Sequence, residues 1–276
     1  MSELLTPATI AATLAERGIS PSRALGQNFL ADPNTARKIV RLAEIGPGDT
    51  VVEVGPGLGS LTNALLETGA KVIAVELDRH LLDPLRGNLP EGAPVEIIHA
   101  DALTADWDSI IGNTENVSMV ANLPYNVATP VVIRALETCS KMGRYLVMVQ
   151  REVGERFAAK PSTKAYGAVT VKVAYYGKAK VVGYVPANVF IPKPKVESAL
   201  VQIECFANPP VHVDDAALMF SLVRAGFATR RKMLRQSLRS VLADDVIAVL
   251  ERTGIDPTTR AEVLELDAWA ALANNV

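Results

Sequence analysis

A short apolar segment near the middle of the chain ends in a distinctive group of side chains. Residues 117–125 read Val117-Ser118-Met119-Val120-Ala121-Asn122-Leu123-Pro124-Tyr125. The length and β-branching of this segment predict a buried strand that ends near Asn122. Because ligands of open α/β sheets bind beyond the carboxyl ends of the strands, residues 122–125 mark a candidate binding site.

These four residues suit a flat ring that carries an amino group. The side-chain oxygen of Asn122 accepts a hydrogen bond from such a group. Pro124 has no N–H, so the carbonyl of Leu123 stays available as a second acceptor, and Tyr125 offers a stacking face. The group favours a planar heterocycle with an exocyclic NH2, and the alternative is a proline turn with an Asn cap and a core tyrosine.

Strands and helices alternate on both sides of this segment. Predicted strands cover 50–54, 71–77, 95–100, 117–121 and 145–150, and helices lie at 60–68, 79–88 and 131–138. This alternation predicts a parallel, doubly wound α/β sheet. Further alternation over 166–176, 180–185 and 198–206 predicts antiparallel strands added at one edge. Asn208-Pro209-Pro210 then breaks the chain, and the rest is predicted as helix. We expect an α/β domain over 1–207 and a small all-helical domain over 208–276.

A glycine-rich loop, Gly55-Pro56-Gly57-Leu58-Gly59, follows the first of these strands. It lets the backbone approach a ligand closely, but its spacing is not the G-x-G-x-x-G of pyrophosphate binding. Glu76 ends the next strand, placed to hold ribose hydroxyls, and Asp101 ends the third, placed to accept from an adenine amino group. Each acid alone fits a helix N-cap equally well. Together they favour an adenosine ligand without phosphate and with a cationic centre, which is S-adenosylmethionine.

Composition excludes several other classes of protein. The chain has 276 residues and is 49% hydrophobic, which allows one large domain with or without a small one. Its apolar runs are too short for a membrane span, and no signal peptide is predicted. Cys139 and Cys205 are predicted to be free thiols of a reducing compartment, hence a cytoplasmic protein. The three histidines have no metal-ligand spacing, so neither a metal site nor a Ser-His-Asp set is expected.

Positive charge is concentrated in two segments although the net charge is −2. From Lys141 to Glu204 there are eleven Lys/Arg against four Asp/Glu. From Ala216 to Ala243 there is no acid and there are six basic residues: Arg224, Arg230, Arg231, Lys232, Arg235 and Arg239. Arg231, Arg235 and Arg239 repeat every four residues, which predicts one basic helix face opposite an apolar stripe. Such a face fits a polyanionic partner, the alternative being ordinary solvated side chains.

Several motifs resemble one family, the KsgA-type ribosomal RNA adenine N6,N6-dimethyltransferases. They are Gly26-Gln27-Asn28-Phe29-Leu30, the segment Glu53 to Gly59, Asn122 to Tyr125, the run Val189 to Ser198, and the basic segment Phe227 to Arg235. They occur in the family's order and cover nearly the whole chain. Two departures are small: Ala24 stands where the family often has Lys or Ser, and Asn28 where many members have His.

The resemblance implies a fold, a reaction and roles for residues. The fold is a class I S-adenosylmethionine-dependent methyltransferase, Rossmann-like, with a helical C-terminal domain. The reaction adds two methyl groups to each of two adjacent adenosines in the 3′-terminal hairpin loop of 16S rRNA in the small ribosomal subunit, with the protein acting as a monomer. The implied cofactor residues are Asn28, Leu30, Gly55, Gly57, Glu76, Asp101 and Asn122. Tyr125 and Phe190 are expected to stack on the target base. The alternative for Phe190 is a core aromatic residue beside Pro192.

Three alternatives stay open. The nearest is a macrolide-resistance type enzyme that methylates one adenosine of large-subunit rRNA, but Gly26, Asp32 and the run Pro192 to Ser198 favour the small-subunit enzyme. The second is a non-catalytic ribosome assembly or transcription factor on the same fold; Glu76 and the intact segment Asn122 to Tyr125 argue for activity. The third is a DNA adenine methyltransferase, and the helical tail lacks a duplex-reading signature.

Overall fold

A computed structural model describes residues 4–22 and 24–276, and the chain separates into two compact units. The first unit runs to Gly154 and resumes over Lys180–Cys205, and the second comprises Glu155–Ala179 and Phe206–Val276. The sequence placed all residues up to 207 in one domain. The structure differs over residues 155–179, because Tyr166 and Val171 are buried among the side chains of the C-terminal helices.

The described strands form one large sheet and one small one. They are β1 (Phe29–Leu30), β2 (Thr50–Val54), β3 (Lys71–Glu76), β4 (Val95–His99), β5 (Val117–Asn122), β6 (Met142–Gln150), β7 (Gly177–Val185), β8 (Phe190–Ile191) and β9 (Ser198–Cys205). The large sheet has the order β4-β3-β2-β5-β6-β9-β7, and β1 pairs with β8. In this order, neighbouring strands from β4 through β3, β2 and β5 to β6 pair in parallel, and β9 pairs antiparallel to β6. The predicted parallel, Rossmann-like sheet with antiparallel edge strands is confirmed.

Helices of the first unit connect these strands. They are α1 (Pro7–Glu16), α2 (Pro33–Ala43), α3 (Ser60–Leu66), α4 (Arg79–Gly87), α5 (Trp107–Ile111), α6 (Ala128–Thr138) and α7 (Arg151–Phe157), the last of which runs across the boundary between the units. The Asp32 carboxylate caps α2 by accepting from the N–H groups of Asn34 and Thr35. Ile39 of α2 and Leu65 of α3 pack into the same core as Val51 and Val72 of the sheet. This packing fixes the ends of β2 and β3, where the candidate site lies.

The second unit is helical in its described residues. Its helices are α8 (Ala168–Tyr176), α9 (Ala216–Ala228), α10 (Leu234–Ser237), α11 (Arg239–Leu242), α12 (Val246–Arg252) and α13 (Leu266–Ala273). They surround Trp269, which is fully buried. A Cβ atom at Gly226 of α9 would lie 2.5 Å from this indole ring, so α9 approaches it closely only because residue 226 is glycine.

The strand predicted over 166–176 is wrong, because most of this segment forms helix α8. The segment is a short, almost entirely apolar run, and such a run fits a buried helix as well as a buried strand. The Gly167 N–H donates to the Thr170 hydroxyl, which itself donates to the carbonyl of Arg156. These bonds begin the helix and were not visible in the periodicity. The strands predicted over 180–185 and 198–206 are confirmed as parts of β7 and β9.

The single basic helix face predicted through residues 231–239 is also wrong. Helix α9 ends at Ala228, and α10 begins only at Leu234 after the extended residue Met233. The first N–H groups of α10 donate to the carbonyls of Thr259 and Pro257, which fixes a new helix direction there. Leu234 and Leu238 are nevertheless fully buried, as the apolar stripe predicted.

Candidate active site

Asn122 is the last residue of β5 and lines a pocket at the carboxyl edge of the sheet. Its Nδ2 donates to the backbone carbonyl of Asn28 at 3.1 Å. The nitrogen is therefore used to hold the loop that precedes β1. Asn122 lines the pocket and its side-chain oxygen Oδ1 is left available as a hydrogen-bond acceptor, as the sequence predicted.

The backbone after Asn122 is firmly held. The Leu123 N–H donates to the carbonyl of Met148 at 3.1 Å, and the Leu123 side chain is 1% exposed. Within residues 4–22 and 24–276, no hydrogen bond is formed to the Leu123 carbonyl. The Pro124 ring lies 3.4 Å from where a Cβ of Gly55 would be, and Gly55 has a φ of +69°. The Asn122 turn and the glycine loop are thus in contact, and two acceptors lie beside the loop.

Tyr125 and Phe190 occupy different environments. The Tyr125 hydroxyl forms a 2.7 Å hydrogen bond with the Ser198 hydroxyl, and burial raises the pKa of Tyr125. This bond orients a ring that lines the pocket. Phe190 is 2% exposed and belongs to the hydrophobic core, because β8 pairs with β1 and brings Phe190 opposite Leu30. The expectation that Phe190 stacks on a base is corrected accordingly: its ring has no exposed face, and the core alternative describes it.

Glu76 organises the glycine loop from the end of β3. One carboxylate oxygen accepts from the Gly57 N–H at 3.1 Å, and the other from the Asp78 N–H at 2.9 Å. Burial is the main cause of the raised pKa of Glu76. Gly57 has a φ of +58°, and a Cβ there would lie 3.0 Å from the Phe29 ring. The loop is therefore held by the same acid that the sequence assigned to a ribose.

A second pocket adjoins the first. It is lined by Glu76, by Asp101 and by apolar side chains including Val54, Val75 and Leu77. Asp101 accepts from the Leu103 N–H at 2.9 Å, which fixes its carboxylate beside this apolar slot. Gln27 and Pro124 line both pockets. Asn28, Leu30, Gly55, Gly57 and Asn122 line the first pocket, so the seven predicted cofactor residues are distributed over two adjoining cavities.

Hydrogen bonds hold the loop before β1 against the site, and they involve side chains for which the sequence predicted no role. The Asn126 Nδ2 donates to the Ala24 carbonyl at 2.7 Å, and the Gln27 Nε2 donates to Asp78 at 2.8 Å. Gly26 has a φ of +66°, and a Cβ there would lie 2.5 Å from the Asn126 side chain. The sequence pointed to these two side chains only through their neighbours. Gln27 belongs to the motif Gly26 to Leu30, and Asn126 directly follows Tyr125.

Glu53 is the first residue of the glycine-loop motif, and the sequence predicted no role for it. It lies on β2, is 1% exposed and lines the first pocket. The Thr62 hydroxyl donates to its carboxyl group at 2.6 Å. Burial, reinforced by the nearby Glu76, raises the pKa of Glu53 to about 8. The pocket floor therefore holds a carboxyl group that keeps its proton at neutral pH.

The six basic residues predicted to contact RNA are all exposed in the second unit: Arg224, Arg230, Arg231, Lys232, Arg235 and Arg239. Arg230 donates to the carbonyl of Lys164 at 2.8 Å and pairs with Glu262 at 3.5 Å. Arg230 and Arg231 line one surface pocket together with Lys164 and Arg260, which the sequence argument did not single out. Positive charge from three separate segments is thus collected at one place.

Two kinds of feature are absent from the described part of the chain: a metal-binding cluster and a membrane-spanning helix. No cluster of three or more His, Cys, Asp or Glu side chains suited to a metal ion occurs in residues 4–22 and 24–276. In the same residues, no helix has the length and apolarity needed to cross a membrane.

The chain is similar in sequence to a family and to curated proteins. A family model described as Ribosomal RNA adenine dimethylase matches residues 20–276. A Ribosomal RNA small subunit methyltransferase A from Bifidobacterium longum subsp. infantis is 43% identical, over 99% of this chain and 94% of that protein. A protein of the same name from Moorella thermoacetica is 39% identical, over 100% of this chain and 99% of that protein.

Two solved structures resemble the whole fold. A dimethyladenosine transferase from Plasmodium falciparum superposes with a TM-score of 0.73 at 24% identity, covering 88% of this chain and 95% of that one. The 23S rRNA methyltransferase ErmE superposes with a TM-score of 0.66 at 27% identity, covering 90% and 99%.

These similarities agree with the sheet and its glycine loop in defining the class of protein: an S-adenosylmethionine-dependent methyltransferase with a Rossmann-like fold. Since the family model spans nearly the entire chain and the curated relatives share about two residues in five with it, the chain belongs to the ribosomal RNA adenine dimethylase family. The enzyme therefore uses S-adenosylmethionine as its methyl donor.

Proposed function

We propose that this enzyme dimethylates N6 of two adjacent adenosines in the 3′-terminal hairpin loop of 16S rRNA, late in assembly of the small ribosomal subunit. We further propose that it acts as a monomer in the bacterial cytoplasm. The observation that carries the proposal is the pair of acceptors at the end of β5, the Asn122 Oδ1 and the Leu123 carbonyl. The curated relatives named for the small subunit support the choice of target.

The two adjoining pockets fit the two ends of the cofactor. In this proposal the first pocket takes the methionine end, beside Asn28, Leu30, Gly55 and Gly57. The second pocket is mostly apolar, with two acids and two amide side chains in its lining, which suits an adenosine: Glu76 holds the ribose and Asp101 accepts from the adenine amino group. Asn122 lies on the wall of the first pocket, where it adjoins both cofactor and target base. The bound cofactor supplies an activated methyl group.

The chemical task of the protein is to make N6 of the target adenine nucleophilic. Its lone pair is delocalised into the ring, and it becomes available only when the amino group turns pyramidal. Two acceptors that receive the two N–H bonds out of the ring plane favour that form, and they gain strength as the transition state develops. The proton leaves after transfer, when the methylated N6 has become acidic, so no dedicated base is required.

The target base must be unstacked before it can reach these acceptors. Tyr125 is proposed to stack on one face of it, held by its hydrogen bond to Ser198. Phe190 is excluded from the other face because it is buried in the core. The backbone of Leu123 and the ring of Pro124 then position the base edge next to the glycine loop.

The test of this proposal is methyl transfer from labelled S-adenosylmethionine to three acceptors: small subunits lacking the modification, large-subunit rRNA and DNA. Identification of N6,N6-dimethyladenine by mass, in small subunits alone, is the expected result. Label in large-subunit rRNA would instead identify the activity that the name of ErmE describes. Binding to small subunits without transfer would leave an assembly factor, and label in DNA would indicate the third alternative.

Charge reversal in the second unit tests the proposed RNA contacts. We expect Arg231→Glu combined with Arg235→Glu to weaken binding to small subunits about tenfold or more, because both side chains are exposed and placed to neutralise phosphates. The slope of the logarithm of the binding constant against the logarithm of the salt concentration should become shallower by about one for each phosphate contact that is lost. Affinity for S-adenosylmethionine, measured by titration, should not change.

The matched control is Arg41→Glu combined with Arg86→Glu, which makes the same charge change on exposed helix residues of the first unit. If this control weakens binding equally, long-range charge and not local contact is responsible. Unchanged binding by the Arg231 and Arg235 variant would remove the basic segment from the RNA interface.

A further inference from the structure

An exposed aromatic side chain lies at the edge of the large sheet in the first unit. Tyr184 of β7 is 46% exposed, so nearly half of its surface faces solvent. The guanidinium group of Arg151 lies over this ring, 4.9 Å from its centroid. The same Arg151 pairs with Glu197 at 3.0 Å. We call Tyr184 and Arg151, held in place by Glu197, the Tyr184 platform.

The platform lies at the same edge of the sheet as Asn122. Strand β6 is parallel to β5, and Arg151 directly follows its last residue. Strand β9 is antiparallel to β6 and begins at this edge with Ser198, the residue after Glu197. Ser198 in turn holds the Tyr125 hydroxyl. A continuous series of contacts therefore joins the platform to the ring proposed to stack on the target base.

The distance suits a neighbouring nucleotide. In the sheet, β5 and β7 are three strand spacings apart, which is about 15 Å at the usual separation of strands. Stacked nucleotides rise about 3.4 Å each, and unstacked ones extend further. A few nucleotides next to the target adenosine cover the gap between Asn122 and Tyr184.

The chemistry of the platform also suits single-stranded RNA. Unstacked bases are bound by aromatic rings and by the planes of arginine guanidinium groups. Lys193 and Lys195 are exposed in the segment that leads into Glu197, so cations for the flanking phosphates are present.

We propose that the Tyr184 platform binds an unstacked base of the substrate RNA that lies beside the target adenosines, and so sets which loop conformation the enzyme accepts. This proposal rests on the proposed function, since it names a further substrate contact of the same site. Its occupant is RNA, because exposed aromatic, guanidinium and ammonium groups together complement bases and phosphates.

Steady-state methylation of unmodified small subunits tests the platform. Tyr184→Ala should raise KM for subunits about five- to 150-fold, the range produced by loss of one base–aromatic stack. Turnover at saturating subunits and the affinity for S-adenosylmethionine should stay at wild-type values. Tyr184→Phe should behave as wild type, whereas Tyr184→Leu, which keeps apolar area without a ring, should resemble Tyr184→Ala.

Photocrosslinking identifies the occupant directly. With Tyr184 replaced by p-benzoylphenylalanine, we expect crosslinks to 16S rRNA nucleotides within a few positions of the methylated adenosines. Crosslinks to a ribosomal protein or to a second copy of the chain overturn the proposal, as does an unchanged KM for Tyr184→Ala. If the wild-type enzyme fails to methylate small subunits, the proposed function fails. If the wild type is active and the Tyr184 variants match it, the platform alone is rejected.

Discussion

Replacement of Asn122 by Ala is expected to lower the turnover of adenine methylation by about 10²- to 10³-fold, the effect of removing one group that stabilises developing charge in a transition state. In the structure the Asn122 Nδ2 is committed to the Asn28 carbonyl, so the side chain presents its oxygen to the pocket. Alanine leaves the Leu123 carbonyl as a single acceptor. One acceptor fixes one N–H bond and no longer favours the pyramidal amino group over the planar one.

The same substitution should affect cofactor binding much less. It removes one neutral hydrogen bond to the loop at Asn28, and such a bond contributes about 0.5–1.5 kcal/mol. We therefore expect a change in S-adenosylmethionine affinity of roughly tenfold at most. The measurement is single-turnover methylation of unmodified small subunits at saturating cofactor, accompanied by an equilibrium titration of the cofactor.

Asn126→Ala is the matched control for this prediction. Asn126 lies four residues further along, and its Nδ2 also donates to a backbone carbonyl of the same loop, that of Ala24. It lines the second pocket and not the first, so its loss should weaken cofactor binding while sparing turnover at saturating cofactor. If Asn122→Ala behaves in the same way, Asn122 only anchors the loop and the two-acceptor mechanism is wrong.

The parts of the fold that the sequence predicted are those in which local signals agree with one another. Strands β2 and β3 are short and mostly apolar, and the glycines between them have positive φ values that other residues rarely adopt. Glu76 is the last residue of β3 and Asp101 lies two residues after the end of β4, so the parallel sheet places both acids at one edge. These features need no knowledge of distant contacts.

The errors arise where distant contacts decide. Helix α8 depends on burial in the core of the second unit, and the break before α10 depends on the carbonyls of Pro257 and Thr259. Phe190 is buried because β8 pairs with β1, more than 150 positions earlier in the chain. The partners of Gln27 and Asn126, and the ion pair beneath the Tyr184 platform, are likewise tertiary. None of them leaves a periodic signal.

The buried carboxyl group of Glu53 should make the stability of the folded protein depend on pH. Its pKa is about 8 in the folded protein because burial disfavours the carboxylate, and it is 4.5 in the absence of that environment. Below pH 4.5 both folded and unfolded chains hold the proton. Between pH 4.5 and about 8 the unfolded chain releases the proton and the folded chain retains it, so Glu53 lowers the free energy of unfolding as pH rises. Above about pH 8 both chains release the proton, so the free energy of unfolding falls no further on account of Glu53.

Glu53→Gln removes the titration and keeps the shape of the side chain. The amide oxygen can still accept from the Thr62 hydroxyl, which donates to Glu53 at 2.6 Å. The difference in free energy of unfolding between the variant and wild type should therefore grow by about 4 kcal/mol, in favour of the variant, as the pH is raised from 5 to 8.5. Urea unfolding at these two pH values measures it. In a Trp269→Phe background, Trp107 is the sole tryptophan of the chain and reports on the unit that contains Glu53.

The control is Glu67→Gln, which removes a carboxylate of the same unit that is 31% exposed and paired with Arg37. A surface pair of this kind contributes little to stability, and its loss should change the free energy of unfolding equally at both pH values. Glu76 is present in wild type and in both variants, so the part of its raised pKa that comes from its own burial is common to all three proteins. A gain for Glu53→Gln that does not grow with pH would mean that the carboxyl group is ionised in the folded protein. Glu53 would then be a buried anion next to Glu76, and a cation would be needed in the first pocket to hold it there.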